Sequence, residues 1–93
     1  RFIGNHNVIA LPEGQFSIRS DRIRIAESTA AAMTATVSAV EYQGTAVSVT
    51  ASKADAQDIT VLLDDATFFS SPLNTGDAVG LTWDQADLHK LGD

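Results

Sequence analysis

The amino-acid sequence predicts an all-β fold, a small barrel or sandwich of short strands. Polar and apolar residues alternate with a period of two along about six or seven segments, the pattern of half-buried strands. Turn-forming residues separate these segments roughly every 8–12 residues. Isolated short strands leave unpaired edges, so closure into a barrel or pairing with another chain is favoured.

Seven predicted strands cover residues 7–11, 15–19, 22–25, 35–42, 45–51, 59–63 and 78–83, and the apolar pair at residues 2–3 precedes them. Turns are expected at Pro12-Glu13-Gly14, Ser20-Asp21, Gln43-Gly44 and Thr75-Gly76-Asp77. The turn at residues 43–44 predicts a hairpin between the strands at 35–42 and 45–51. The Ala-rich segment 27–34 has no amphipathic stripe and is expected to be a loop or a single turn.

The last predicted strand carries the best candidate for a core anchor. Val79, Leu81 and Trp83 lie on one face of it, so the Trp83 ring is expected in the core. Asp84 is expected to cap a short helical turn that runs through Leu88.

The longest connection runs from residue 64 to residue 74. It carries Phe68 and Phe69, which are expected to cover one mouth of the barrel. Pro72 would interrupt a strand there.

Composition predicts one domain over residues 1–93 and excludes several classes of protein. The chain has 6 basic and 12 acidic residues, a net charge of −6, and no cysteine. Disulfide frameworks, thiolate nucleophiles and cysteine zinc sites are therefore excluded. The acidic balance argues against nucleic acid as a partner. Neither an apolar run of about 20 residues nor a signal-peptide pattern is present, so membrane insertion is not expected.

The net charge is confined to one half of the sequence. Residues 1–47 hold four arginines and four acids, whereas residues 48–93 hold two lysines and eight aspartates. The second half is therefore expected to form an acidic surface, and the neutral half is the better candidate for docking. The first residue is Arg1 rather than methionine, from which we expect a piece of a longer protein.

Catalytic groupings are not apparent. His6 and His89 are the two histidines and lie at opposite ends of the chain, with nothing to recruit either as a general base. The pair Asp64-Asp65 is expected to be a solvated turn. Asp84 and Asp87 fit helix capping better than calcium binding. No glycine is followed by lysine, so the phosphate-binding loop pattern is absent.

The basic residues cluster in one place. Arg19, Arg22 and Arg24 lie close together, and the last two share a face of the predicted strand. They could pair with acids on a neighbouring strand or domain, or form a solvated face.

Five short strings occur in a fixed order along the chain: Phe2-Ile3-Gly4-x-x-Asn7, Ile18-Arg19-Ser20-Asp21-Arg22-Ile23, Val40-x-Tyr42-x-Gly44, Gly76-Asp77-x-Val79-x-Leu81-x-Trp83-Asp84 and Asp87-Leu88-His89. Taken together, they resemble the TOBE domain found at the C-terminus of the ATP-binding subunits of bacterial ABC importers. The subtype is similar to the polyamine, iron(III) and maltose import ATPases. The resemblance spans nearly the whole chain.

The resemblance implies an OB-like β-barrel that acts as an accessory, non-catalytic domain. ATP and Mg would be bound by an N-terminal domain of the parent chain, an ATPase that works as a homodimer on permease subunits. The parent would be cytoplasmic and peripheral at the inner membrane. The motif residues that the resemblance marks are Gly4, Asn7, Arg19, Asp21, Tyr42, Gly44, Gly76, Asp77, Trp83 and Asp84.

One motif departs from the family pattern, which usually reads Arg-Pro-Glu where this chain has Arg19-Ser20-Asp21. The aspartate keeps the acid, but serine lacks the fixed φ of proline. The N-terminal pattern of the molybdate-binding relatives is absent, so oxyanion binding is not implied. Two alternatives remain open: a stand-alone small-ligand or oxyanion binding module, and an OB-type oligonucleotide binder.

The isolated chain is expected to self-associate through a strand edge or an apolar patch. Light scattering at increasing protein concentration measures this. A clean monomer at high concentration would contradict the expectation.

Overall fold

The computed structural model describes residues 2–3, 6–26, 33–53 and 57–91, which contain nine strands, one α-helix and two 3-10 turns. Gly4 and most of the Ala-rich segment 27–34 lie outside the described residues. The elements are β1 (Phe2–Ile3), β2 (His6–Leu11), β3 (Gly14–Arg19), β4 (Arg24–Ala26), β5 (Met33–Gln43), β6 (Ala46–Ser52), β7 (Asp58–Asp64), α1 (Asp65–Ser70), β8 (Ala78–Thr82) and β9 (His89–Lys90). The 3-10 turns are Ser20–Arg22 and Gln85–Asp87.

The prediction of an all-β fold is confirmed. The strands form a four-stranded sheet in the order β1-β2-β3-β9 and a five-stranded sheet in the order β4-β8-β5-β6-β7. Every described pairing is antiparallel. Backbone pairing does not close these strands into one continuous barrel within the described residues, so each sheet keeps two edge strands.

Tight turns set the register of two of the hairpins. Leu11 pairs with Gly14 across the turn that joins β2 to β3. Gln43 pairs with Ala46 across the turn from β5 to β6, where Gly44 has a φ of 73°. A positive φ suits glycine because it has no Cβ to clash with the backbone, and the predicted hairpin at this position is confirmed.

One predicted connection is partly helical. Residues 65–70 form α1, which the sequence interpretation missed because the segment is short and has no amphipathic repeat. The signal was present at its start, since the carboxylate of Asp64 accepts a hydrogen bond of 2.7 Å from the backbone N–H of Thr67. An aspartate N-cap of this kind satisfies one of the free N–H groups of the first turn.

Both sheets contribute to one hydrophobic core. Its members alternate along the strands, as the period of two predicts. They are Ile9, Ile18, Ile23, Met33, Ala35, Val37, Val47, Val49, Ala51, Ile59, Val61, Phe68, Val79, Leu81 and Trp83. Trp83 is 9% exposed, which confirms its prediction as a core residue.

The C-terminal helical turn is present, but Asp84 does not cap it as expected. The turn at Gln85–Asp87 is a 3-10 turn that begins with a hydrogen bond from the N–H of Asp87 to the carbonyl of Asp84. The Asp84 side chain makes no capping bond and instead accepts from the Arg24 guanidinium at 3.1 Å. A charged donor from a neighbouring strand thus takes the carboxylate that a cap would have used.

The side chain of Asn7 joins the two sheets. Asn7 is fully buried on β2, and its amide makes two hydrogen bonds to the backbone of Thr60 on β7. The Thr60 N–H donates to Oδ1 at 2.8 Å, and Nδ2 donates to the Thr60 carbonyl at 2.7 Å. This pair reproduces the backbone pairing of two strands, so one amide side chain partly closes the outer edge of β7.

A second contact supports this junction between β2 and β7, which we call the seam. The N–H of Ala10 on β2 donates to the side-chain oxygen of Gln57 at 3.0 Å. The hydroxyl of Ser20 accepts from Asn7 at 3.3 Å, so the buried amide has partners for both of its polar atoms.

Replacing Trp83 with alanine tests the core. We expect Trp83→Ala to lower the free energy of unfolding by about 3–5 kcal/mol, because it leaves a large cavity in the core. Urea denaturation measures the change. Leu91→Ala is the control, since Leu91 is 39% exposed and its loss should cost under about 1 kcal/mol. Equal losses from both variants would show that Trp83 does not anchor the core.

Replacing Asn7 with alanine tests the seam between the sheets. We expect Asn7→Ala to cost about 2–4 kcal/mol, because it leaves both backbone groups of Thr60 without their partner. Ser20→Ala removes only the longer bond and should cost less than about 1 kcal/mol. Hydrogen exchange should show the Thr60 amide losing protection in Asn7→Ala alone. Unchanged protection at Thr60 in that variant would contradict this role of Asn7.

Candidate functional site

The turn that contains Gly76 and Asp77 is stabilised by the side chain of Asp77. One carboxylate oxygen of Asp77 accepts from the N–H of Asn74 at 2.8 Å, and the N–H of Asp77 donates to the Asn74 carbonyl at 3.0 Å. Gly76 has a φ of 98°, a conformation that favours glycine. The turn expected from the sequence is therefore present, and its aspartate bonds to the turn backbone.

The same turn is attached to β5. The N–H of Gly76 donates to the carbonyl of Val37, and the N–H of Val37 donates to the carbonyl of Asp77, both at 2.8 Å. Strand β8 pairs with Met33–Thr36 of β5, and the ladder between β5 and β6 is irregular between Val37 and Ala39. The turn thus continues the β5–β8 contact to the point where β5 changes register.

The arginine cluster is engaged by acids within the chain. Arg24 pairs with Asp84 at 3.1 Å, and Arg22 lies 4.0 Å from Asp87. These contacts confirm that the arginines pair with acids of a neighbouring element, although Arg22 lies in a 3-10 turn rather than on a strand. They also bring the neutral half and the acidic half of the sequence together. Exposed ion pairs of this kind contribute little to stability.

The Arg-Ser-Asp motif has two separate roles. The Arg19 guanidinium pairs with Asp21 at 2.9 Å on the surface. Ser20 between them is buried and accepts a hydrogen bond from Asn7. The serine that stands where the family usually has proline therefore supplies a hydroxyl to the seam between the sheets.

Three aromatic rings meet at the end of β5 and on α1. Phe68 is 1% exposed, and its ring packs edge-on against Tyr42 at a centroid distance of 5.7 Å and against Phe69 at 5.4 Å. Tyr42 and Phe69 stack at 6.0 Å with 10° between their planes, and they are 62% and 59% exposed. We call the Tyr42 and Phe69 rings the aromatic surface.

The expected cover of a barrel mouth is therefore only partly correct. Phe68 is buried in the core, whereas Phe69 faces outward beside Tyr42. Adjacent helical residues point in different directions, so one ring of the pair enters the core and the other does not.

Two carboxylates stand at the start of the helix that carries Phe69. Asp65 lies four residues before Phe69 on α1, so the two side chains share a side of the helix. Asp64 caps the helix, and its hydrogen bonds from the side chain and backbone of Thr67 lower its pKa below the ordinary value of 3.8. The sequence interpretation of this pair as a solvated turn missed the cap. We call Asp64 and Asp65 the acidic margin of the aromatic surface, because both stand at the start of the helix that carries Phe69.

The described surface also has depressions, two of which border β5 and α1. An open one of about 460 Å³ is lined by Thr34, Ala35, Thr36, Ser52, Lys53 and Ala78. The Ser52 hydroxyl beside it donates to the Asp58 carboxylate at 2.6 Å. A smaller cleft of about 250 Å³ beside α1 is lined by Ile25, Leu63, Thr67, Ser70, Ser71 and Leu73.

Side chains that could act as general bases or metal ligands do not form a cluster in the described part of the chain. His6 and His89 are exposed on β2 and β9 of the four-stranded sheet. No group of three or more histidine, aspartate or glutamate side chains in the described ranges is placed to hold a metal ion. None of the described helices has the length and apolar character needed to cross a bilayer.

The motif residues occupy separate places in the fold rather than one pocket. Asn7 lies in the seam, Trp83 in the core, and Arg19, Asp21 and Asp84 in surface ion pairs. Gly44, Gly76 and Asp77 form turns, and Gly4 lies outside the described residues. Among the described motif residues, Tyr42 is the one that presents a large apolar side chain to the outside. The candidate site is therefore the aromatic surface with its acidic margin.

A comparison with protein families matches residues 16–91 to the TOBE domain. This chain belongs to the TOBE-domain family. The match covers the strands from β3 to β9 and most of the motif residues. A comparison with curated proteins finds no match for the chain.

The TOBE fold is also supported by similarity to a solved structure. The cytoplasmic molybdate-binding protein ModG, in a form with molybdate bound, superposes with a TM-score of 0.69 at 14% sequence identity. The match covers 80% of this TOBE chain and 57% of the ModG chain, so it spans little more than half of ModG. At this identity the similarity shows a shared fold.

Acid titration tests the Asp64 cap. Because its folded pKa is lowered, the cap stabilises α1 above the unfolded pKa and is lost as the pH falls through the folded value. NMR titration should find Asp64 titrating below 3.8. Thr67→Val, which removes the hydroxyl donor, should move the pKa back toward the ordinary value. A midpoint at or above 3.8 in the original chain would contradict the cap.

Proposed function

We propose that this TOBE domain is an accessory, non-catalytic domain of the ATP-binding subunit of an ABC-type solute importer, of the spermidine/putrescine-like type or a related one. It would support dimerisation of the ATPase subunits and tune ATP-driven transport. The resemblance in motif order and the family match over residues 16–91 support this proposal.

The observation that carries the proposal is that most motif residues stabilise the fold, whereas one of them forms part of an exposed surface. Asn7, Asp77 and Trp83 hold the fold together, whereas the motif residue Tyr42 presents an exposed ring to the outside beside that of Phe69. A domain that braces a larger assembly needs a rigid frame and a surface on which another chain can pack. Exposed aromatic rings of this kind mark protein interaction sites.

ATP and Mg would be bound elsewhere in the parent chain. Residues 1–93 contain no glycine followed by lysine, so they do not fit the loop that cradles nucleotide phosphates. The homodimeric ATPase would in turn engage permease subunits and place this domain at the cytoplasmic side of the membrane. The transported solute would be selected by those other chains.

The parent gene provides the first test. The open reading frame upstream of Arg1 should encode a phosphate-binding loop and an ABC signature. The full parent and a version ending before Arg1 should then be compared for ATP-dependent dimerisation and for ATPase rate. We expect a weaker dimer in the shortened protein. A parent without the phosphate-binding loop, or two proteins that dimerise equally, would overturn the proposal.

A second candidate function is a stand-alone binding module for a small oxyanion. The similarity to a ModG structure with molybdate bound favours it. Calorimetry of the chain with molybdate, sulfate and spermidine decides between the two. Saturable heat with molybdate would support the oxyanion module, and the absence of heat with all three would reject ligand binding.

A further inference from the structure

We propose that the aromatic surface docks an arginine-bearing segment of a partner protein, with the guanidinium group flat on the exposed ring of Tyr42 or Phe69 and paired with Asp65. This inference rests on the proposed function for the identity of the partner, an ATPase domain or subunit, and it adds the chemistry of the contact.

The exposed rings are the first observation. Tyr42 and Phe69 are 62% and 59% exposed, although the buried Phe68 fixes both of them by edge-on contacts. Their near-parallel stacking presents outer ring faces on a support that is already ordered. Binding there loses little side-chain entropy, because the rings do not have to be immobilised. A preformed aromatic platform is suited to stacking with a planar group.

The charge at the margin selects the partner. Asp65 lies one helical turn from Phe69, and Asp64 is held in its charged form by the hydrogen bonds from Thr67. A purely apolar partner that covered the rings would remove water from these carboxylates without compensation. A cationic partner compensates for that loss. Charge complementarity therefore favours a basic segment.

Arginine fits this combination better than lysine. Its planar guanidinium stacks on an aromatic face and presents parallel N–H donors to a carboxylate. The arginines of the described residues do not supply this group, because Arg19, Arg22 and Arg24 contact Asp21, Asp87 and Asp84. The arginines of residues 6–26 are thus engaged with other aspartates, and the proposal assigns the cation to another chain or to another domain of the parent.

A second copy of this chain fits the surface poorly. A symmetric contact would place each aromatic surface on its counterpart and bring the two Asp64-Asp65 pairs together. Like charges in such a contact cost binding energy. The self-association expected from the sequence stays a prediction, and this surface is not its best candidate.

A peptide titration tests the proposal. The ¹⁵N-labelled 93-residue chain is titrated with an end-blocked hexapeptide of alternating leucine and arginine, and chemical shifts are followed at Tyr42, Asp65 and Phe69. We expect saturable shifts at these residues. The matching leucine–lysine peptide should bind about threefold more weakly, and a leucine–glutamate peptide should not bind.

Variants separate the contributions. Tyr42→Ser and Phe69→Ser should each weaken binding of the arginine peptide about fivefold, and Asp65→Asn about threefold. Leu91→Ser is the matched control, because it removes a different exposed apolar side chain from the four-stranded-sheet side of the domain. It should leave binding unchanged. Circular dichroism should show every variant folded, since the replaced side chains are exposed.

Three outcomes would overturn the proposal: no saturable shift at millimolar peptide, equal binding of the arginine and glutamate peptides, or equal weakening by Leu91→Ser. Self-association that is lost in Tyr42→Ser would reassign the surface to a second copy. If the peptide fails to bind but removal of residues 1–93 weakens the parent dimer, the docking chemistry is wrong and the proposed function stands. If the peptide binds but the parent lacks an ATPase domain, the proposed function fails and the docking chemistry stands.

Discussion

The arrangement of the two sheets depends on one buried amide. Asn7 bonds to both backbone groups of Thr60 and thereby joins the four-stranded sheet to the outer edge of the five-stranded sheet. Apolar packing alone would let the sheets slide, because hydrophobic contacts have little directional preference. Paired hydrogen bonds fix the register, and the buried position makes any alternative costly. The rest of the core is packed around a geometry that this contact specifies.

The motif residues of this TOBE domain are mainly structural. They join sheets, close turns and anchor the core, and they do not gather around a reacting group in the described residues. Because these residues stabilise the fold, the function is expected to depend on exposed residues outside this structural set. The aromatic surface is the feature whose exposure the fold does not explain, which is why both proposals above depend on it.

The strands, the main hairpin and the core position of Trp83 could be predicted from the sequence, because alternation and turn chemistry are local signals. Helix α1 could not, since six residues are too few to show helical periodicity and the aspartate that begins it also suits a turn. The pairing of Asp84 with Arg24 depends on a contact between distant segments, which a capping pattern cannot reveal. The partners of Asn7 were hidden for the same reason.

The residues of the aromatic surface could be noticed in the sequence one by one, but their contact could not be predicted from it. Tyr42 belongs to a recognisable string, and Phe69 lies in a connection 27 positions later, so their stacking appears only once β5 and α1 are folded. Which of two adjacent phenylalanines faces outward depended on the helix itself. The acidic character of residues 48–93 and a pairing of Arg22 and Arg24 with acids could both be expected from the sequence, but the identity of those acids, Asp87 and Asp84, could not.

Strand β7 connects the aromatic surface to the seam. Its C-terminal residue, Asp64, caps the helix that carries Phe69. Thr60, four positions earlier, is the residue to which Asn7 is hydrogen-bonded. That spacing corresponds to about 13 Å of extended chain. A force applied to Phe69 would therefore pass along β7 toward Thr60 and its bonds to Asn7, while the ladder between β6 and β7 would carry part of it into the five-stranded sheet. The two hydrogen bonds between Asn7 and Thr60 would then be among the contacts that such a force strains, and their strength would help to limit the force that the domain could transmit.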